Sequence, residues 1–138
     1  MLICDTSGLL AFFDRSDRHH QRIVEAIDDD PGPFVVSPYV AAELDHLLAT
    51  QSGGRAELAA LGELCSGAWK LAAFDQANLT TALGVIERYS DQAISLADAS
   101  LVVLAHRYRT DRLLTLDHPH FRVVRSVSGR PFTLLPAE

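Results

Sequence analysis

Four acidic residues stand where their charge has to be answered by something. The chain opens Met1-Leu-Ile-Cys-Asp5-Thr-Ser7, a short apolar strand that ends on a carboxylate, and Arg112-Leu-Leu-Thr-Leu-Asp117 repeats the device. Strands that deliver an aspartate at their carboxyl ends put charge in the crevice where open α/β sheets bind ligands. Glu43 and Asp98 fall beside the apolar stripes of expected helices, where an unpaired charge is costly. Two carboxylates 4 Å apart repel by about 4 kcal/mol at an effective dielectric of 20. Four at one site must therefore take up protons or hold a cation. Oxygen-only ligands favour a hard ion such as Mg²⁺ or Mn²⁺. An ion held this way lowers the pKa of bound water and neutralises a phosphate during in-line displacement.

Each acid also has a plainer role open to it. Glu43 lies three residues after Val40 and four before Leu47, on the flank of the stripe formed by Val40, Leu44, Leu47 and Leu48, which also suits a rim glutamate. Ser95-Leu-Ala-Asp98 matches a capping box, in which the acid reaches back to the helix start. Yet Asp98 is four residues from Ile94, three from Leu101 and four from Val102, so it faces the sheet. Asp5 and Asp117 suit turns, and Asp5 also suits the N-cap of a short helix behind it.

The elements that must position these groups alternate between strand and helix, the pattern of a mainly parallel sheet covered by helices. Leu2–Asp5 reads as the first strand, followed by a helix over Thr6–Phe13 and another, capped by Asp17, to about Asp28. Asp28-Asp29-Asp30-Pro31-Gly32-Pro33 stops it. Phe34–Val36 is a strand, and Ser37-Pro38 starts a helix through a serine N-cap and a first-turn proline. Gly53-Gly54 ends that helix. Arg55–Cys65 is expected to be helical, Trp69–Phe74 a strand, Asp75 the cap of a helix to about Tyr89, and Ser95 that of one to Tyr108. Leu113–Leu116 and Phe132–Leu135 complete the strands, with His118 and His120 in the loop after Asp117.

With 138 residues, the chain fits one domain, 1–138, and buries roughly 68% of its unfolded surface. Its two cysteines, Cys4 and Cys65, lack metal-type spacing and read as buried hydrophobes in a reducing compartment. The apolar start is too short for a signal peptide or a membrane span, so the expected location is the cytoplasm. A net charge of −6 argues against nucleic-acid binding driven by overall charge. Eleven of the twelve basic residues are arginines, however, and they cluster as Arg15, Arg18 and Arg22, as Arg107, Arg109 and Arg112, and as Arg122 and Arg125. Local patches of this kind can contact phosphates bidentately, although each also reads as a solvated helix face.

The sequence resembles the PIN-domain ribonucleases, and in particular the VapC toxins of bacterial toxin–antitoxin pairs, over nearly its whole length. The likeness rests on Ile3-Cys-Asp5-Thr-Ser7, Ser37-Pro-Tyr-Val-Ala-Ala-Glu43-Leu, Ile94-Ser-Leu-Ala-Asp98-Ala and Leu114-Thr-Leu-Asp117-His-Pro-His-Phe121, in order. It implies a three-layer α/β/α fold in which Asp5, Glu43, Asp98 and Asp117 form a catalytic, metal-binding quartet at one edge of the sheet's carboxyl-end face. Thr6 and Thr115 would be supporting hydroxyls, and the ion Mg²⁺ with Mn²⁺ as a substitute. The implied reaction is endonucleolytic RNA cleavage leaving a 3′-hydroxyl and a 5′-phosphate, without a general-base histidine. The implied partners are RNA, a cognate antitoxin, and a second copy within a larger toxin–antitoxin assembly, with no membrane. Leu58, Leu61 and Leu64 suit either that interface or the core.

Other classes fit less well. A haloacid-dehalogenase-type phosphotransferase needs an aspartate two residues after the first, where this chain has Ser7, and a receiver domain needs a lysine after a late strand, where the only lysine is Lys70. A catalytically silent PIN-like scaffold that only binds a partner is the remaining alternative, and the intact quartet argues against it.

Overall fold

Three-residue strands and short helices alternate along the chain, whose residues 1–138 are all described by a computed structural model. β1 (Leu2–Cys4) leads into α1 (Thr6–Phe13) and α2 (His20–Asp28), then β2 (Phe34–Val36), α3 (Pro38–Gln51) and α4 (Gly54–Leu64). β3 (Trp69–Leu71), α5 (Gln76–Arg88), a short 3₁₀ turn at Ser90–Gln92, α6 (Leu96–Arg107), β4 (Arg112–Leu114), α7 (His118–Val123) and β5 (Thr133–Leu135) follow. The strands lie in the order β3-β2-β1-β4-β5, every neighbouring pair parallel. Leu2, Ile3 and Cys4 point to alternate sides of β1, and all three are fully buried, so helices cover both faces. The result is the expected α/β/α layering. Burial pushes the Cys4 thiol's pKa far up, with smaller pushes from the charges of Asp5 and Asp30, so it packs as a hydrophobe.

This order contains a switch point. From β1 the chain moves outward through β2 to β3, then crosses back to place β4 on the other side. Crossovers on either side of β1 and β4 diverge there, leaving a crevice at their carboxyl ends. The register pairs Cys4 with Leu114, which brings Asp5 level with Thr115.

Local signals explain most helix starts. Ser37 accepts from the Tyr39 N–H at 3.1 Å with Pro38 in the first turn, and Asp75 with Asn78, like Ser95 with Asp98, forms a reciprocal capping box. The end of α6 is a Schellman turn, with Arg109 N–H bonded to the His106 carbonyl and Thr110 N–H to that of Ala105. Arg109 occupies the left-handed position at φ 54°, where glycine is usual and a side chain costs about 1–2 kcal/mol.

Some expectations need correction. Asp17 does not cap α2: its carboxylate accepts from His19 N–H at 2.7 Å inside the preceding turn, and the helix begins at His20. β3 stops at Leu71, because Ala72 makes the last ladder bond before the chain turns toward Asp75. The segment after Asp117 is helical rather than loop, since Pro119 fits a first turn. Cys65 is exposed at the end of α4, and Leu58 is 72% exposed, outside the core.

At the amino end of the sheet, Asp30 is buried and accepts from the Met1 ammonium at 2.6 Å, Gly32 N–H at 2.8 Å and the Arg112 guanidinium at 3.0 Å. Burial pushes its pKa up, but those three donors outweigh it and hold the carboxyl below its usual range. At the other end, α1 runs so close to β4 that a Cβ on Gly8 would lie 2.9 Å from the Leu114 carbonyl oxygen. Alanine in place of a helical glycine ordinarily gains about 1 kcal/mol. Here the obstacle is backbone, and overpacking of this kind costs about 1–3 kcal/mol. We expect Gly8→Ala to lower the thermal midpoint; an unchanged or raised midpoint would show that α1 can retreat from β4.

Candidate active site

Asp5 sits where β1, α1 and β4 meet. Its backbone N–H donates to the Leu114 carbonyl at 2.9 Å, holding it against the end of β4, and as N-cap of α1 its Oδ1 accepts from Thr6 N–H at 2.8 Å. Oδ2 accepts from the hydroxyls of Ser7 and Thr115, both at 2.8 Å. Those hydroxyls accept in turn, Ser7 from Leu116 N–H and Thr115 from Asp117 N–H, each at 3.0 Å. The carboxylate is thereby fixed in direction by a closed ring of neutral donors.

No cation faces it. Burial is the largest influence on Asp5 and raises its pKa; the Ser7 and Thr115 hydroxyls and the Thr6 N–H pull the other way, the nearby charge of Asp98 adds to the rise, and the net shift is upward. Asp30 is the internal contrast: a buried carboxylate given two cations and held low. Beside Asp5, the Thr6 hydroxyl is buried with no hydrogen-bond partner. Leaving such a group unsatisfied costs about 1–3 kcal/mol.

Asp98 comes from the first turn of α6. It is half-buried, and its Oδ2 accepts from Ser95 N–H at 3.1 Å and lies 3.1 Å from His120 Nε2 on α7. The capping box is therefore real, and the acid also faces the Asp5 side of the crevice. Glu43 is exposed on α3 and Asp117 exposed at the start of α7, neither side chain making a hydrogen bond or ion pair. The hydroxyls of Ser37 and Ser100, buried 2.7 Å apart, lock α3 to α6 and so fix the helices that carry Glu43 and Asp98. As the side chains stand, no three His, Cys, Asp or Glu residues are gathered closely enough to ligate one ion. The charge of Asp98 reaches Asp5, whereas Glu43 and Asp117 are exposed and are not gathered with them.

The donor set nevertheless fits a hard cation. A pre-oriented carboxylate with a raised pKa, a second carboxylate within its field and an orphaned hydroxyl all gain from an added positive charge.

The chain's relatives agree with this architecture. The family profile described as PIN domain matches residues 2–125. Ribonuclease VapC26 of Mycobacterium tuberculosis (strain ATCC 25618 / H37Rv) is 50% identical over 135 residues, which span 98% of this chain and 100% of that protein. The chain belongs to the PIN-domain family. The crystal structure of Mycobacterium tuberculosis VapC20, described as a Sarcin-Ricin loop cleaving toxin, shares the fold of this PIN domain with a TM-score of 0.80 at 20% identity, covering 87% of this chain and 92% of that one.

The sequence gives no role to one group of this PIN domain and places another differently. Ser7 binds both Asp5 and the β4–α7 turn, and the clustered hydroxyls of Asp5-Thr6-Ser7 are the signal that could have found it. His120, expected in a loop with a substrate contact or a metal as its possible roles, lies on α7 with Nε2 3.1 Å from Asp98 Oδ2.

The raised pKa of Asp5 has a definite sign for stability. The native state holds its proton to higher pH than the unfolded chain does, so stability falls as pH rises from the unfolded aspartate value, about 3.9, through the folded one. Asp5→Asn removes that loss. In denaturant titrations without divalent ions, the variant should gain stability over the wild-type PIN domain at neutral pH, with the gain shrinking toward pH 4. A gain independent of pH would show that Asp5 is not strained by its charge.

Proposed function

We propose that this PIN domain is a divalent-metal-dependent endoribonuclease, the toxin of a toxin–antitoxin pair. The observation that carries the reading is the contrast between its two buried aspartates, Asp30 answered by cations and Asp5 by neutral donors alone. Kinship with Ribonuclease VapC26 supports RNA as the substrate.

In this reading Asp5 and Asp98 hold the ion, Mg²⁺ or Mn²⁺, and Glu43 and Asp117 complete the set from the rim. A bound ion supplies charge neutralisation at the phosphate and lowers the pKa of water. The protein supplies direction. Ser7, Thr115 and Thr6 N–H keep both Asp5 oxygens aimed, while Ser95 N–H and His120 engage Oδ2 of Asp98 and leave its Oδ1 free to accept a hydrogen bond. Water adds to phosphorus, the bond to O3′ breaks, and O3′ leaves with a proton, giving a 3′-hydroxyl and a 5′-phosphate. His120 is occupied by Asp98, which agrees with a mechanism that uses no histidine base.

Such an activity needs restraint in the cytoplasm, where we place it. A cognate antitoxin would supply a lysine or arginine to Asp5, Glu43, Asp98 or Asp117 and displace the ion. Exposed Leu58 on α4 and Leu79 and Leu83 on α5 offer apolar surface for a homodimer or the larger toxin–antitoxin assembly. No helix is long and apolar enough to cross a membrane. The silent-scaffold alternative draws on the exposure of Glu43 and Asp117 apart from the other two acids, and one experiment separates the two readings.

With Mg²⁺ or Mn²⁺ and total RNA, mapped by end-sequencing, the wild type should cleave at discrete sites. Asp5→Asn and Asp98→Asn should lose at least about a hundredfold in rate, the scale of removing one electrostatic contact to a transition state. Glu43→Gln and Asp117→Asn should lose less. Mg²⁺ should also raise the thermal midpoint of the wild type and not of Asp5→Asn, since only a bound ion stabilises by mass action. No cleavage by the wild type would favour the scaffold, and full activity in Asp98→Asn would reduce that residue to a helix cap.

A further inference from the structure

At the far end of the sheet from the acids lies a cleft of about 820 Å³, framed by the end of α6, the start of β4 and the turn before β5. Its walls carry Arg107, Arg109, Arg112 and Arg130, with Ser126 and Ser128 between them. We propose that this cleft is a second RNA-contact site that takes backbone phosphates of the same substrate, and it rests on the ribonuclease reading above.

Four arginines line this cleft in a chain of net charge −6. Asp111 is the one acid in the lining. Arg112 is committed to Asp30, and Arg107 donates to the Ala73 carbonyl and Asn78 Oδ1, but neither Arg109 nor Arg130 has an acidic partner. Cations are favoured at a helix C-terminus, which would account for Arg107 and Arg109. It does not account for Arg130, which arrives from a separate turn.

Both free arginines are held in place by backbone. Arg109 takes the left-handed position that a glycine would fill without strain, and its place there sets a charged side chain in the cleft wall. The turn bearing Arg130 is tied by Ser126 N–H to the Arg130 carbonyl at 2.8 Å, Arg130 N–H to the Ser126 hydroxyl at 3.0 Å and Gly129 N–H to the Ser126 carbonyl at 2.9 Å. This turn lies beyond residues 2–125, the span that the family profile matches.

The occupant follows from charge and size. The cleft exceeds what a single phosphate fills, and spaced guanidinium groups suit successive phosphates of a strand. β4 separates the two sites: three steps from Arg112 to Thr115 rise about 10 Å. The segment from Asp117 to Arg130 runs from the acids to the cleft and exposes Arg122 and Arg125 on the way, Arg122 being paired with Glu138. A strand passing over that edge can occupy both sites at once.

The test measures binding without cleavage. Anisotropy of a labelled single-stranded RNA of about 30 nucleotides is followed across KCl from about 50 to 200 mM, comparing Asp5→Asn with the same protein also carrying Arg109→Gly and Arg130→Ser. Glycine relieves the strain at position 109, and a thermal midpoint no lower than that of Asp5→Asn verifies folding. Losing two phosphate contacts should lower the salt slope by about 1.4, weaken binding about tenfold at 50 mM and leave little difference at 200 mM. Arg55→Ser with Arg88→Ser, outside the cleft, is the matched control and should leave the slope unaltered. An equal drop in that control, an unchanged slope in the cleft variant, or no RNA binding by Asp5→Asn would each overturn the proposal. So would a cleft variant that loses inorganic phosphate, probed by calorimetry, yet keeps its RNA slope, since the site would then serve a free ion. Failure of the ribonuclease reading registers separately, as wild-type protein that binds RNA without cutting it.

Discussion

A carboxylate removed from water at the end of a central strand dictates the arrangement around it. Asp5 must sit there because β1 is buried on both faces and the chain turns directly into α1. Desolvation then demands donors, and the sequence supplies Thr6 N–H, Ser7 and, from across the sheet, Thr115. That last bond crosses the register pairing Cys4 with Leu114, beside which α1 approaches β4 closely at Gly8. One residue's charge thus constrains strand pairing, helix approach and the β4–α7 turn together.

The two buried aspartates are answered in opposite ways. Asp30 is stitched to the chain's first residue and to Arg112, binding the starts of β1 and β4. Its charge is fully answered within the protein. Asp5 has acceptors aimed and no countercharge, which leaves an electrostatic demand to be met from outside. The opposite shifts follow from desolvation dominating at Asp5 and from two cations and the Gly32 N–H outweighing it at Asp30.

Much of this was legible in the sequence because its signals are local. Ser37-Pro38, Asp75 with Asn78, and Ser95 with Asp98 announce helix starts within three residues, and the apolar run at Leu2–Cys4 announces a buried strand. Asp5 and Asp98 stood out for the same reason. What stayed hidden depends on partners far apart in sequence. The His120–Asp98 contact spans 22 residues and the Arg112–Asp30 pair 82, so no window of periodicity contains both members. Asp-His-Pro-His reads as a turn by composition, whereas α7 forms there with Phe121 buried. Cys65 and Leu58 are apolar letters on a helix whose only fully buried residue is Ala60.

The two margins of the sheet, β3 and β5, are three residues long. A strand edge is a row of unsatisfied donors and acceptors, and a short row gives an intruding strand little to hold. In the middle of β3 stands Lys70, exposed and the chain's only lysine. Pairing another sheet against it would require stripping water from an ammonium group. The β-margins are thus inhospitable to the open-ended stacking that leads to fibrils, and the uncovered leucines of α4 and α5 leave the apolar exposure on helices instead.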